Sequence, residues 1–396
     1  MERNRKTYID YSEHRFAQAV PSIMIVMVVV LCSTMSRMIL SPLLLEVEQE
    51  FQLTHGPSSR LFLIMSIGVS VSLLLSGYVT WLVSYRGTVL LCTLIISGSL
   101  IMTSLAANFT QMRITMLLLG IGSGLYPASG LTVLYSLVSQ ENRQKALSLH
   151  EFGPYLGMFI APLIANFFIG YASWRTTYLF LGLFTLAAGL VFFARVKTGY
   201  SHGHKPTLAF MVSLIRNPAF LVLVLFVAIA IGTMQGIYAL VPVFLVKEGG
   251  LAQDQANYLF SISRLTPLIA LVVLGFLQDR IGVRRSLVIA LSGIGIFVLL
   301  MGLLKGPLML AAVILQPALG ALLIPASLGV LYQIGPKESQ NIMISLLMPI
   351  AAIIGSGLIP AFFGYMGDEF TFAAGFVIFG IFILASTLLI RCIKQV

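Results

Sequence analysis

The sequence predicts an all-α integral membrane protein of twelve transmembrane helices arranged as two similar six-helix halves. Hydrophobic residues make up 58% of its 396 positions and charged residues only 10%, a balance that no water-exposed domain of this length carries on its surface. Apolar runs of roughly 20 residues or more, long enough to cross a ~30 Å hydrocarbon layer as a helix, recur along the whole chain. The stretch "PASGLTVLYSLVSQENRQKALSL" (127–149) returns as "PASLGVLYQIGPKESQNIMISLL" (325–347), matching Pro127 to Pro325, Tyr135 to Tyr332 and Glu141 to Glu338 at an offset of 197 to 198, half the chain.

The runs place helices 1 to 6 over 18–45, 57–83, 87–106, 110–138, 143–170 and 174–195. Helices 7 to 12 follow over 218–245, 255–278, 286–304, 307–334, 341–364 and 370–391. The segment before helix 1 mixes Arg3, Arg5, Lys6 and Arg15 with Glu2, Asp10 and Glu13. The run behind it is too long for a signal-peptide core and has no small-residue cleavage site, so the N-terminus is expected to be retained. The longest polar interruption, "RVKTGYSHGHKPTLAFMVSLIRNP" (195–218), divides the chain into a half over 1–194, a cytoplasmic linker over 195–217 and a half over 218–396.

With the N-terminus in the cytoplasm, 17 of the 24 Lys and Arg fall on the cytoplasmic side, five outside, and Arg37 and Arg264 within helices. That is the positive-inside pattern, and it predicts a multi-pass inner-membrane protein with both termini cytoplasmic. The net charge of +10 is then topological, and no basic domain exists to bind nucleic acid. Cys32, Cys92 and Cys392 show no spacing of a metal site or disulfide framework. No phosphate-binding GxxxxGK[ST] loop and no candidate nucleophile appear, so neither ATP-driven transport nor an enzyme is expected, and no cofactor is needed.

The stretch "GFLQDRIGVRR" (275–285) resembles the G-x-x-x-D-R-x-G-R-R signature of the major facilitator superfamily, here after helix 8. "SQENRQKALSL" (139–149) is similar to that family's loop between helices 4 and 5, "SWRTTYLF" (173–180) to its lead into helix 6, and "LIRNPAF" (214–220) to its lead into helix 7. The resemblance spans essentially the whole chain and implies two halves that rock about a central substrate path. It also implies that Gly275, Asp279, Arg280, Arg284 and Arg285 form a cytoplasmic latch. Physically, Gly275 permits close helix approach, Asp279 suits a helix N-terminus, and the arginines pair with it and with lipid phosphates. The first-half counterpart "GYVTWLVSYRG" (77–87) keeps Gly77 and Arg86 but has Trp81 where the acid would stand, which predicts an asymmetric switch.

An ionisable residue deep in a membrane helix costs about 2.5–3.5 kcal/mol on insertion scales and tends to face a cavity. Arg37 in "CSTMSRMILSPL" and Arg264 in "LFSISRLTPL" qualify. The repeat aligns Arg37 with Gln235 and Arg264 with Ser66, so both positions are polar in both halves. Two arginines, one per half, suit an anion clamp through forked hydrogen bonds; the plainer alternative pairs one of them with Glu151. The Arg37 context resembles the organic-anion symporters of the family and a mid-helix 8 arginine its oxalate and monocarboxylate transporters, although Ser123 stands where the first group carries an acid. Glu151, the only carboxylate expected inside a membrane helix, and His150 beside it are the expected proton-coupling residues. Tyr126, Tyr155, Tyr238 and Gln235 are the expected polar contacts to substrate. The sequence thus predicts proton-coupled (or sodium-coupled) uptake of a small organic anion by a monomer in the lipid bilayer. A proton-driven exporter of amphipathic compounds is the alternative, from the helix 5 run "GPYLGMFIAPLIA" (153–165).

Overall fold

The computed structural model describes residues 16–197, 217–270, 280–334 and 340–392, and every regular element among them is helical. Eleven of these helices are long and apolar enough to cross a membrane. The twelfth, helix 8, begins at Gln253–Ser263 and is described to residue 270; residues 271–279 lie outside the described set, as does most of the linker.

In the first half the helices are Phe16–Met38 with Leu40–Phe51 (helix 1), His55–Val83, Tyr85–Ser104, Phe109–Ser136, Arg143–Tyr171 and Trp174–Arg195. In the second half, helix 7 runs from Pro218 to Lys247, helix 9 over Val283–Leu303, helix 10 over Gly306–Ile334, helix 11 from Gln340 to Glu369 and helix 12 from Phe372. Short polar residues start several of them by satisfying free N–H groups. Asn108 Oδ1 accepts from Gln111 N at 2.9 Å, Asn217 Oδ1 from Ala219 N at 3.0 Å and Thr371 Oγ1 from Ala374 N at 3.0 Å. The "SWRTTYLF" motif does two jobs. Ser173 caps helix 6, while Trp174 Nε1 (2.6 Å) and Arg175 bind Glu50 and tie helix 6 to the end of helix 1.

Within the first half, helix 3 lies against helices 4 and 6, and helix 1 against helices 5 and 6; in the second, helix 9 lies against helices 10 and 12, and helix 7 against helices 10 and 11. The halves meet along helix 2 with helix 11 and helix 5 with helix 8, which is a two-fold pattern. Leu75, Leu82, Leu183, Phe184, Ile296 and Ile381 point outward from the bundle, exposed, as a lipid-facing surface requires.

Four helices are interrupted near mid-depth, and proline accounts for the register. A proline lacks the N–H that would bind the carbonyl four residues back. Pro42 follows the break at Ile39, Pro242 follows the widened turn Gly232–Gly236, Pro267 follows the break at Arg264, and Pro360 follows the widened turn Ile353–Leu358. Two carbonyls freed by prolines are taken by side chains of other helices. Ser41 Oγ donates to Tyr238 O at 2.8 Å, across the halves, and the Tyr238 hydroxyl donates to Val313 O, four residues before Pro317.

Two sequence expectations are corrected here. Helix 1 continues to Phe51 rather than ending at 45, because Leu44, Val47 and Phe51 extend its apolar face. Glu151 is therefore not the only carboxylate inside a spanning helix, since Glu46, Glu48 and Glu50 also belong to one. Nor is Glu151 deeply buried: its side chain is 46% exposed while that of His150 is 3% exposed, because adjacent helical positions point about 100° apart and only His150 faces the interior.

Candidate functional site

A cavity lies between the halves at the level of the helix breaks. Its wall takes Arg37 and Ser41 from helix 1, Ser66 from helix 2, Gln235 and Tyr238 from helix 7 and Ser356 from helix 11; the apolar part includes Phe62, Met65 and Val69. The empty space, its open mouth included, is about 410 Å³, in the range that accepts a small organic molecule. Arg37, Gln235 and Ser66 are repeat-related polar positions, and the fold gathers all three on one wall.

Arg37 is the charge in this wall. Its Nε is buried without a hydrogen-bond partner, and among the described residues no carboxylate forms an ion pair with it. Arg37 is half-buried, and a buried guanidinium nitrogen without a partner is costly, so the arrangement favours an anionic occupant of the cavity.

Arg264 is placed differently from the expected clamp. It is 1% exposed and stands behind Tyr238, its guanidinium carbon 3.6 Å from the centre of that ring and 5.1 Å from Phe260. Nη1 donates to Met234 O at 2.7 Å and Nε to Ser263 Oγ at 3.2 Å, while Nη2 has no partner. Arg264 is thus absent from the cavity wall and instead contacts Tyr238 and the broken segment of helix 7.

Neither arginine is paired with Glu151, so the alternative pairing is set aside. Glu151 Oε1 instead lies 3.2 Å from His150 Nδ1, and His150 Nε2 lies 2.8 Å from the Tyr126 hydroxyl, which also reaches Val26 O at 3.3 Å. His150 is 3% exposed. The expected coupling residues and one expected substrate tyrosine therefore form one chain, from the bundle surface at Glu151 to the interior at Tyr126. Tyr126 faces this chain rather than the cavity, and Tyr155, half-buried on the next turn of helix 5, is also absent from the cavity wall.

Of the expected latch, Gly275 and Asp279 lie outside the described residues, and Arg280, Arg284 and Arg285 are exposed around the start of helix 9. The turn itself repeats. Gly282 has φ +81° and its counterpart Ser84 φ +74°, a conformation that suits glycine and strains serine. Trp81, in the missing acid's place, packs beside Tyr78 with ring centres 5.7 Å apart.

Sequence reasoning missed the seal at the end of the bundle away from Phe16, hereafter the far end. There Asp368 of helix 11 caps helix 2 of the other half, accepting from Thr54 Oγ1 at 2.7 Å, His55 N at 2.8 Å and Gly56 N at 2.8 Å. Helix 5 and helix 8 meet through amides: Asn166 Nδ2 donates to Asp254 O at 3.0 Å, and Asn257 Nδ2 donates to Asn166 Oδ1 at 2.7 Å. The polar stretch "EVEQEF" reads as the edge of a loop, so only the i, i+4 pair Val47 and Phe51 hinted that helix 1 reached this level.

The sequence model of the Major Facilitator Superfamily matches residues 26–253 and 228–394. The fold is similar to that of a POT family transporter in complex with 5-aminolevulinic acid (TM-score 0.81, 14% identity, covering 98% of this chain and 99% of that one). It is also similar to the D-xylose-proton symporter (0.77, 17%, 96% and 98%) and to a bacterial homologue of the human lysosomal transporter Spinster, inward-facing and occupied (0.75, 15%, 95% and 97%). With the family model matching almost the whole chain, eleven membrane-spanning helices among the described residues and a cavity between repeated halves, the chain belongs to the major facilitator superfamily.

Proposed function

We propose that the protein is a proton-coupled importer of a small, carboxylate-type organic anion. The observation that carries this reading is Arg37, a cation with no carboxylate paired to it among the described residues and with its Nε unpartnered, in the wall of a cavity shared by both halves. Gln235, Ser41, Ser66 and Ser356 supply hydrogen bonds to the anionic head, and Phe62, Met65 and Val69 take its apolar part. The contact from Ser41 to Tyr238 O spans the halves beside the site, so substrate binding and the rocking of the halves act on the same helix breaks. Arg264 orients Tyr238. Protons reach the interior through Glu151 and His150. The positive-inside distribution supports cytoplasmic chain ends, and on this reading the far-end seal faces outward. The protein works as a monomer.

The test is thermal stabilisation of the purified protein by monocarboxylates, dicarboxylates, sulfonates and lipophilic cations, with Arg37→Gln alongside. A ligand that binds only the folded form adds about 2.7 kcal/mol at a hundredfold excess over its Kd. A carboxylate is expected to raise the wild-type Tm by several degrees and to leave Arg37→Gln unmoved. Stabilisation by lipophilic cations alone, unchanged in Arg37→Gln, overturns the reading in favour of an exporter, for which the apolar wall of helix 2 is already suited.

A further inference from the structure

The repeat that gathers Arg37 and Gln235 on one wall also shows what the second half withholds from it. At an offset of 198, Arg37 pairs with Gln235, Ser41 with Ala239 and Ser66 with Arg264. Five of these six positions line the cavity, and Arg264 does not. The first half thus presents a guanidinium and two hydroxyls, while the second presents an amide and a methyl at the matching places. Its own cation is turned away, 1% exposed and stacked on Tyr238. Arg37 is therefore the only charged side chain in the wall among the described residues.

Both members of the leading pair stand at helix breaks: Arg37 just before the break at Ile39, and Gln235 inside the widened turn Gly232–Gly236. A carboxylate held by Arg37 has its charge matched once. A second carboxylate on the same molecule meets hydroxyls, an amide or the apolar face of helix 2. An ionised group that leaves water without a counter-charge is costly. That apolar face, Phe62, Met65 and Val69, lies on one side of helix 2. From end to end it spans about 10 Å along the axis and covers an extended chain of about six carbons.

We propose that Gln235 sets the charge of the substrate. With a neutral amide at the repeat counterpart of Arg37, the cavity accepts a monocarboxylate with an apolar chain and discriminates against the dicarboxylate of the same length. A cation at position 235 supplies the second counter-charge and turns the preference round. This selectivity rests on the anion reading and deepens it, fixing one negative charge and an apolar tail as the features that are recognised.

The test measures thermal stabilisation of the purified protein by hexanoate and by adipate, which share a chain length and differ in one terminal carboxylate. It is run at about pH 7.5, where both adipate carboxyls are ionised, and Kd is read from the dependence of Tm on ligand concentration. Wild type is expected to bind hexanoate about tenfold tighter than adipate. Gln235→Arg is expected to reverse that order. Gln235→Lys, a slimmer cation, is expected to do the same and decides should the arginine variant fail to fold. Equal or tighter binding of adipate by wild type, or an unchanged preference for hexanoate in the folded cation variants, overturns the proposal. If Arg37→Gln still abolishes that binding, the anion reading stands without it. Stabilisation by neither acid also overturns the proposal, and the wider panel of anions then shows whether the anion reading falls with it.

Discussion

At the far end helix 11 closes on helix 2 through a carboxylate, whereas helix 5 closes on helix 8 through amides. The two seals occupy equivalent places in the two-fold pattern, yet their physics differ. Asp368 satisfies three donors at the start of helix 2, where the free N–H groups and the helix dipole both favour negative charge. Asn257 donates to Asn166, which donates to the Asp254 carbonyl, and these neutral hydrogen bonds do not depend on ionic strength or on protonation. One architecture, used twice, thus yields one seal that responds to the medium and one that holds regardless.

The largest effect that would break this comparison comes from Gly364, where an added Cβ would lie 2.5 Å from the His55 carbonyl. Gly364→Ala is expected to cost the closed form about 1–3 kcal/mol by overpacking. A membrane-impermeant maleimide should then label Ser66→Cys from the far side at least several-fold faster; an unchanged rate means that helices 2 and 11 do not need this close approach.

A smaller effect separates the seals by salt. Raising ionic strength from 0.1 to 1 M shortens the screening length from about 10 to 3 Å. Wild type should open a few-fold more in high salt, as read from the same labelling. Asn166→Ala, which removes neutral bonds worth about 0.5–1.5 kcal/mol, should open the far end while keeping that salt response. If Asn166→Ala abolishes the response, the amide seal is not independent of the charged one.

The smallest effect concerns the repeated turn on the other side of the bundle. Ser84→Gly relieves a strained positive φ and should raise stability by up to about 1 kcal/mol, set against a weak capping bond of 3.3 Å from Gly87 N to Ser84 Oγ. A fall in Tm would show that the cap outweighs the strain.

Much of the site was legible because the chain repeats itself. Polar residues at equivalent depths of two apolar helices, Arg37 and Gln235, pointed to the place where the halves meet, and the cavity wall holds both. Tyr238 was legible as a polar side chain on a helix expected to line the path. Arg264 shared their signature but not their position, since the break before Pro267 turns it beneath Tyr238. Nothing local distinguishes an arginine that faces a cavity from one that stacks behind its wall. Tyr126 likewise went to His150, a contact 24 residues away on another helix.

The sequence by itself determined the membrane class, the half-chain repeat and the placement of Arg37 and Arg264 within apolar helices. Hydropathy and helix pitch are local properties, and identical arithmetic applies to each run. Only the tertiary structure decided which polar groups share a space. Carbonyls freed by Pro242 and Pro317 found partners on other helices, and Asp368 reached across 312 to 314 residues to cap helix 2. Those pairings depend on how helices pack against one another, which no single run of residues encodes.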